Sequence, residues 1–280
     1  MSYALPVPTT RLNQADLAAL EAAVAALEKT SFARRLAQLA GRRIGFAGKA
    51  IPERLQVASA IAARRALEAA LRIALQSLRG NASGDGLMRH RQLAVAAGAL
   101  GGAAGVAGLP VELPISTTIM LRAIADVART EGEDLSDPQT AMACLEVFAL
   151  GGHGEGEKVM EGGYLALRGL FAKSVSDAAS FVAQNAAASE AAPALARLIG
   201  ALSSRFGLVV SQKAAAQAAP IFGAVGGALV NLAFTEHFQS LAKGHFTVRR
   251  LERAYGQYEV RSEYVRIARE AGYWAEETGA

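Results

Sequence analysis

The stretch QLAVAAGALGGAAGVAGLPV at residues 92–111, and the stretch AAAQAAPIFGAVGGALVNLAFT at residues 214–235, carry no charged side chain. Neither alternates apolar and polar residues with a period of two, as a half-buried strand would. Both place small residues four apart: Gly98 and Gly102, Gly101 and Gly105, Gly223 and Gly227. Glycines at i and i+4 share one helix face and let two backbones approach closely. Across the 280 residues the apolar share is 52%, and it is drawn from alanine and glycine far more than from β-branched or aromatic residues. That is poor material for sheets. The pattern predicts an all-α fold: a single multi-helix domain built around two Ala/Gly-rich apolar helices that nest on each other, with no significant sheet.

Working outward, Leu17, Leu20, Val24 and Leu27 recur at helical spacing, which predicts a helix over 13–40 stopped by Gly41. Pro52 suits a first helical position, and 52–79 runs on without Gly or Pro. Further helices are expected at 87–109, ended by Pro110 and Pro114, and at 115–129. Another is expected at 139–150, opened by Asp137 as N-cap and Pro138. Helices at 158–188 and 193–206, an apolar stretch at 208–236 bent at Pro220, and a charged tail at 238–275 with corners at Gly244 and Gly256 complete the reading. One domain over 13–275 is expected, with short tails at 1–12 and 276–280.

Both chargeless segments are long enough to enter or cross a bilayer, which takes about 20 apolar residues. Ala and Gly supply little insertion energy, and neither segment has Trp or Tyr anchors at its ends. A close-packed helical core and membrane contact both remain as readings.

Charge is unevenly distributed. Residues 34–91 carry twelve basic residues against Glu53, Glu68 and Asp85, while 112–161 carry ten acids against Arg122, Arg129 and Lys158. The basic block sets Arg54, Arg64, Arg65, Arg72 and Arg79 on one helix, as candidates for contact with an anionic membrane surface. The alternative is a solvated face packed beside the protein's own acidic region. Nucleic acid is disfavoured, because Phe46 is the one aromatic between Arg34 and Arg91 and base stacking has no support.

Candidate chemistry is sparse. Cys144 is the single cysteine, which suits a reducing cytosol and excludes a disulfide scaffold. No secretory signal is visible at residues 1–11. His237 and His245 are eight residues apart, about 80° out of register on one helix, so no metal site is expected. The glycine-rich run at 151–158 has Glu157 where a phosphate-binding loop needs its lysine, so no cofactor is expected either. Glu112 lies between Pro110 and Pro114, and Glu146 among apolar helical neighbours. Either one, once buried, needs a cation or donors, or takes up a proton. Arg122 is the expected partner, with Asp126 competing for it. A structural ion-pair network is one reading of these residues; a hydrolase-type enzyme using Glu112 and Glu146 with His237 is the other.

Two stretches resemble the bacterial EcsC family. One joins LPVELP at 109–114 to Glu131-Gly132-Glu133-Asp134 and ACLEVFALGG at 143–152. The other joins APIFGAVGG at 219–227 to Asn231, Phe234, His237-Phe238-Gln239, His245-Phe246 and Val248-Arg249-Arg250-Leu251-Glu252. The resemblance spans most of 90–255, and the N-terminal ninety residues are less diagnostic. It implies an α-helical protein of unsettled role at the cytoplasmic face of the membrane, because the family is named after a protein encoded beside an ABC transporter. It carries over no catalytic residue. It marks Glu112, Arg122, Glu146, Asn231 and His237 as a shared polar network or site. The combined expectation is a non-enzymatic, cytoplasmic protein, peripheral to or partly inserted in the membrane. A soluble scaffold for a transporter or another protein partner is a further alternative.

Overall fold

The computed structural model describes residues 12–29, 31–32, 34–36, 52–78, 108–151, 163–185, 192–218 and 223–274. Within them lie α1 (Gln14–Glu28), α2 (Glu53–Leu78), α3 (Leu109–Thr130), α4 (Pro138–Leu150), α5 (Gly163–Gln184), α6 (Pro193–Ala218), α7 (Gly223–Tyr255) and α8 (Gln257–Glu270). No strand occurs among the described residues, and the fold is all-α.

The 33-residue α7 is the axis of the molecule and packs against α1, α3, α4, α6 and α8. Its Phe234 and Phe238 join Phe148 of α4 and Phe206 of α6 in a ring cluster with centroids 5.1–6.1 Å apart, and Phe32 closes one edge. Helix α4 is the most enclosed, with every residue from Thr140 to Leu150 buried. Helix α2 lies along α6 and α3 and turns an alanine-rich face to them: Ala62, Ala63, Ala66, Ala70 and Ala74, with Leu67, Leu71 and Leu75.

The helix starts follow local chemistry. The Asn13 side chain accepts from the Asp16 amide, and Asp137 from the Gln139 amide ahead of Pro138. Helix α5 borrows its cap from another helix: Glu28 of α1 accepts from the Tyr164 amide at 3.1 Å, from the Tyr264 hydroxyl at 2.7 Å and from Trp274 Nε1 at 3.1 Å. Gly163 makes room for that carboxylate with φ +44°, where any side chain would overlap it.

Faces lined by alanine, such as that of α2, fill only where backbones come close, and glycine marks one such approach. Gly244 of α7 rests on α1: a methyl group there would stand 2.8 Å from Leu27 Cγ and 3.1 Å from the Ala23 carbonyl oxygen. At Gly207 of α6 the same position is 3.5 Å from Ala60 Cα of α2. The small-residue principle therefore operates at Gly244, whereas at Gly207 a methyl group would meet only ordinary contact. Residues 92–107 lie outside the described residues, and with them Gly98, Gly101, Gly102, Gly105 and their expected nesting on 214–235.

Several boundaries differ from the sequence reading. Helix α1 stops at Glu28 instead of 40. The helix expected to start at 115 begins at Leu109, with Pro110 in its first turn and Pro114 within it, while residues 87–107 of the helix expected before it lie outside the described residues. At the first turn a proline lacks only an amide that would be unpaired anyway. Helix α6 runs through Gly207, and α7 runs straight through Gly244, where close packing on α1 holds the glycine helical. The stretch 208–236 is divided between α6 and α7. Gly256, with φ +93°, is a corner as expected.

Replacing Gly244 with valine drives a branched side chain into Leu27 and the Ala23 carbonyl. It should cost about 1–3 kcal/mol in chemical denaturation. Gly200→Ala on the open face of α6, where nothing lies within 4 Å, should instead gain roughly 0.5–1 kcal/mol.

Candidate functional site

Two buried polar clusters occupy the two halves of α7. The first is at its N-terminal half. Lys213 of α6 is wholly buried, and its ammonium donates to both oxygens of Glu112 of α3 and to Asn231 Oδ1 of α7, each at 2.9 Å. Those three bonds use all three N–H donors of a lysine. Its Nζ also lies 4.5 Å from the centroid of the Phe234 ring. Burial pulls the Lys213 pKa down, and the Glu112 carboxylate pulls it back up. With every donor engaged, the group is a tie between three helices.

The second cluster joins α4, α5 and the C-terminal half of α7. The Tyr164 hydroxyl and His245 Nδ1 are hydrogen-bonded at 3.0 Å, with the rings edge to face. Four residues further along each helix, Arg168 makes a two-pronged bridge to Glu252 at 2.7 Å, and Arg249 binds Glu133 at 2.8 and 3.0 Å. Burial holds His245 well below the ordinary histidine value, and the two guanidiniums push the same way, so the ring is neutral. Glu146 is pushed from 4.5 up to about 7 by burial, against the opposing pull of Arg168 and Arg249. Its Oε1 and His245 Nε2 have no hydrogen-bond partner. Burial pushes the neighbouring Cys144 thiol up to about 12, which makes it a poor nucleophile.

An arginine clamp extends this cluster to the surface. Arg249 and Arg253 both bind Glu133, while Arg250 bridges Glu131 at 2.9 Å and Asp16 at 3.0 Å. Gly132, at φ +79°, turns the acidic loop so that both of its glutamates face α7.

The expected network is therefore divided. Glu112 and Asn231 meet, but Lys213 joins them in the place expected of Arg122, which points outward from α3. Asp126 is buried and accepts from Arg129 at 3.1 Å, one turn along its own helix. Glu146 belongs to the second cluster. Asn231 and Arg249, which mark the two clusters on α7, are separated by about 27 Å of helix rise. His237 lies between them on α7, against the rings of Phe32 and Phe238, with Nε2 facing Gly151. The structure does not gather Glu112, Glu146 and His237 around one centre. Among the described residues, no group of three or more His, Cys, Asp or Glu side chains is placed to hold a metal.

Lys213, Tyr164 and Arg168 were missed by the sequence reading. For Lys213 a signal existed: it is the charge directly before the second chargeless stretch, as Glu112 is the charge directly after the first.

The chain matches the EcsC protein family over residues 9–251. No curated protein and no solved structure matches it at a significant level.

Lys213→Met leaves the Glu112 carboxylate buried and unanswered, and should cost roughly 3–5 kcal/mol. Adding Glu112→Leu should restore most of that loss, which a double-mutant cycle in urea would read directly.

Glu146 gives a pH signature. The folded protein holds a proton there that the unfolded chain releases near 4.5, so its contribution is complete below 4.5 and is lost as pH rises through about 7. Glu146→Gln should abolish that part of the slope. It should make the variant more stable than the parent above pH 8, by roughly 3 kcal/mol at most.

Proposed function

The chain belongs to the EcsC protein family, and we propose that it is a non-enzymatic, peripheral membrane protein that lays the outer face of α2 on an anionic lipid surface. The supporting observation is the division of that helix. Its alanine and leucine face is buried against α3 and α6, while Arg54, Arg64, Arg65 and Arg72 stand exposed on the other side. Between these arginines two large apolar side chains face water, Val57 at 55% and Ile61 at 51% exposure. Arg79 lies outside the described residues. Two acids accompany the arginines on α2: Glu68 bridges Arg64 at 3.0 Å, and Glu53 is exposed in the first turn.

A helix with a basic rim and an apolar centre lies in the interface plane, with its aliphatic residues among the headgroups. Each basic residue near an anionic surface contributes about 1 kcal/mol, and salt weakens that attraction. The apolar pair adds hydrophobic contact that salt does not screen.

Helix α6 bears on how far such contact extends. Among the described residues it is the one helix long and apolar enough to cross a bilayer by length and composition, over Pro193–Gln217. More than half of that window is buried within the protein, and its Lys213 is tied to α3 and α7. These features favour attachment at the surface over insertion of α6.

Flotation with vesicles checks the proposal. The protein should rise with vesicles containing phosphatidylglycerol, stay behind with phosphatidylcholine alone, and be released by high salt. Arg54→Glu with Arg65→Glu should weaken binding by at least about tenfold. Val57→Ser with Ile61→Ser should weaken the binding that survives moderate salt. Absence of binding to anionic vesicles at low salt, or binding indifferent to both pairs of substitutions, would refute the reading.

A further inference from the structure

Away from α2, a cleft of about 690 Å³ opens between α1, the end of α3 and the middle of α7. Its volume is in the range of small-molecule sites, about 300–1,000 Å³. The two main walls are chemically opposite. Helix α1 contributes only methyl groups, from Ala19, Ala22, Ala23 and Ala26. Helix α7 contributes Gln239, Ser240, Lys243 and Thr247, and Arg35 stands beside them.

The polar wall holds donors that the protein does not use. Gln239 Nε2 and Arg35 Nε are buried without a hydrogen-bond partner. A buried donor left unpaired costs about 1–3 kcal/mol, so an acceptor that reaches it gains that much more. Lys243 is exposed at the mouth and takes part in no ion pair among the described residues. The carboxylates in the lining are already engaged. Glu131 accepts from Arg250 at 2.9 Å, and Glu236 has an interaction of its own. Three basic side chains, Arg35, Lys243 and Arg250, stand in the lining against the two carboxylates, so the net charge of the cleft is positive, and it faces an aliphatic wall.

We propose that this cleft is a binding site for an amphiphilic monoanion, a carboxylate carrying an unbranched aliphatic body. The carboxylate would accept from Arg35 and Lys243 and, after a turn of the terminal amide, from Gln239. The aliphatic part would lie along the α1 methyls. Gly244 belongs to the same lining and holds α1 and α7 together at the base, so the floor is formed before any ligand arrives.

The site is separate from the lipid-facing surface of α2, and its test is kept separate. The full-length protein is titrated calorimetrically with decanoate, with decanol as the uncharged counterpart and with inorganic phosphate as the anion without a chain. Decanoate should bind at one site per chain, and both counterparts at least about tenfold more weakly. Arg35→Gln and Gln239→Leu should each weaken decanoate by about tenfold, as expected for loss of a charge-assisted or buried hydrogen bond. Ala22→Phe, at an exposed position of the methyl wall, should block the cleft without changing the melting temperature. The Arg54→Glu, Arg65→Glu protein should bind decanoate like the parent, even though it fails to float with vesicles. No saturable decanoate binding, equal binding of decanol, indifference to all three cleft variants, or loss in the α2 variant would each overturn the proposal.

Discussion

The rest of the structure depends on how closely helices approach one another where the faces they bury are lined by alanine, which is as frequent in the core as leucine. Such side chains fill little volume, so separations set by leucine-sized ridges would leave voids, and voids lose dispersion contacts outright. The fold meets this constraint in two ways. Glycine lets α7 rest on α1 at Gly244, and an all-alanine stripe lets α2 lie along α6 and α3. Where backbones stay apart, the few large rings are concentrated, and Phe32, Phe148, Phe206, Phe234 and Phe238 occupy one continuous cluster around α7. Bulk is placed in the centre and closeness at the flanks.

Methyl-to-methyl packing of this kind is weakly directional, and a sheath of alanine faces could slide or rotate. The buried polar groups remove that freedom. Lys213 ties α3, α6 and α7 with three bonds of equal length, and Glu28 ties α1, α5 and α8 together with Trp274. The arginines at the end of α7 fix the acidic loop after α3. Buried ion pairs contribute little net stability, since desolvation offsets their attraction. Their effect here is on register: each carboxylate accepts only where its partners' positions along neighbouring helices coincide. The residues that carry the resemblance to the EcsC family are largely these. The Glu131-to-Asp134 loop and the Val248-to-Glu252 run are bound to each other, and Glu112 and Asn231 share one lysine.

Fold class was legible in the sequence because it rests on period and composition, which are local. The capped start at Asp137 and the corner at Gly256 were legible for the same reason. The continuity of α7 through Gly244 and of α6 through Gly207 was not. A glycine that breaks a helix and one that admits a neighbouring helix look alike until the neighbour is known. The buried network was half legible. Glu112 and Glu146 declare themselves as carboxylates in apolar surroundings, but their partners are far off in sequence. Arg122 seemed right because it was near along the chain, whereas Lys213, 101 residues away, is the group that bonds Glu112. The two chargeless stretches are each bounded by one of this pair, and burial with opposite sign is what links such residues. The unspent donors of Gln239 and Arg35 could not be read at all, because being unpaired is a property of the folded state.

This division bears on where function resides. Lys213 has no donor left over, and the Cys144 thiol is held protonated by burial. Glu146 and His245 do have unpaired atoms, but these are sealed inside the second cluster. A reacting molecule needs both an unengaged group and a path to it. The interior of the described structure offers the two together at neither cluster. Charged groups meet solvent on α2, where exposed arginines surround Val57 and Ile61, and unpaired donors line the cleft beside α1. Both combine positive charge with aliphatic surface, and that combination suits molecules with an anionic head and an apolar body. On the two proposals, a lipid surface would meet it from outside the protein and a single amphiphile from within a cleft. The two proposed sites thus share one chemical preference, set into a body whose inner charges keep its helices in register.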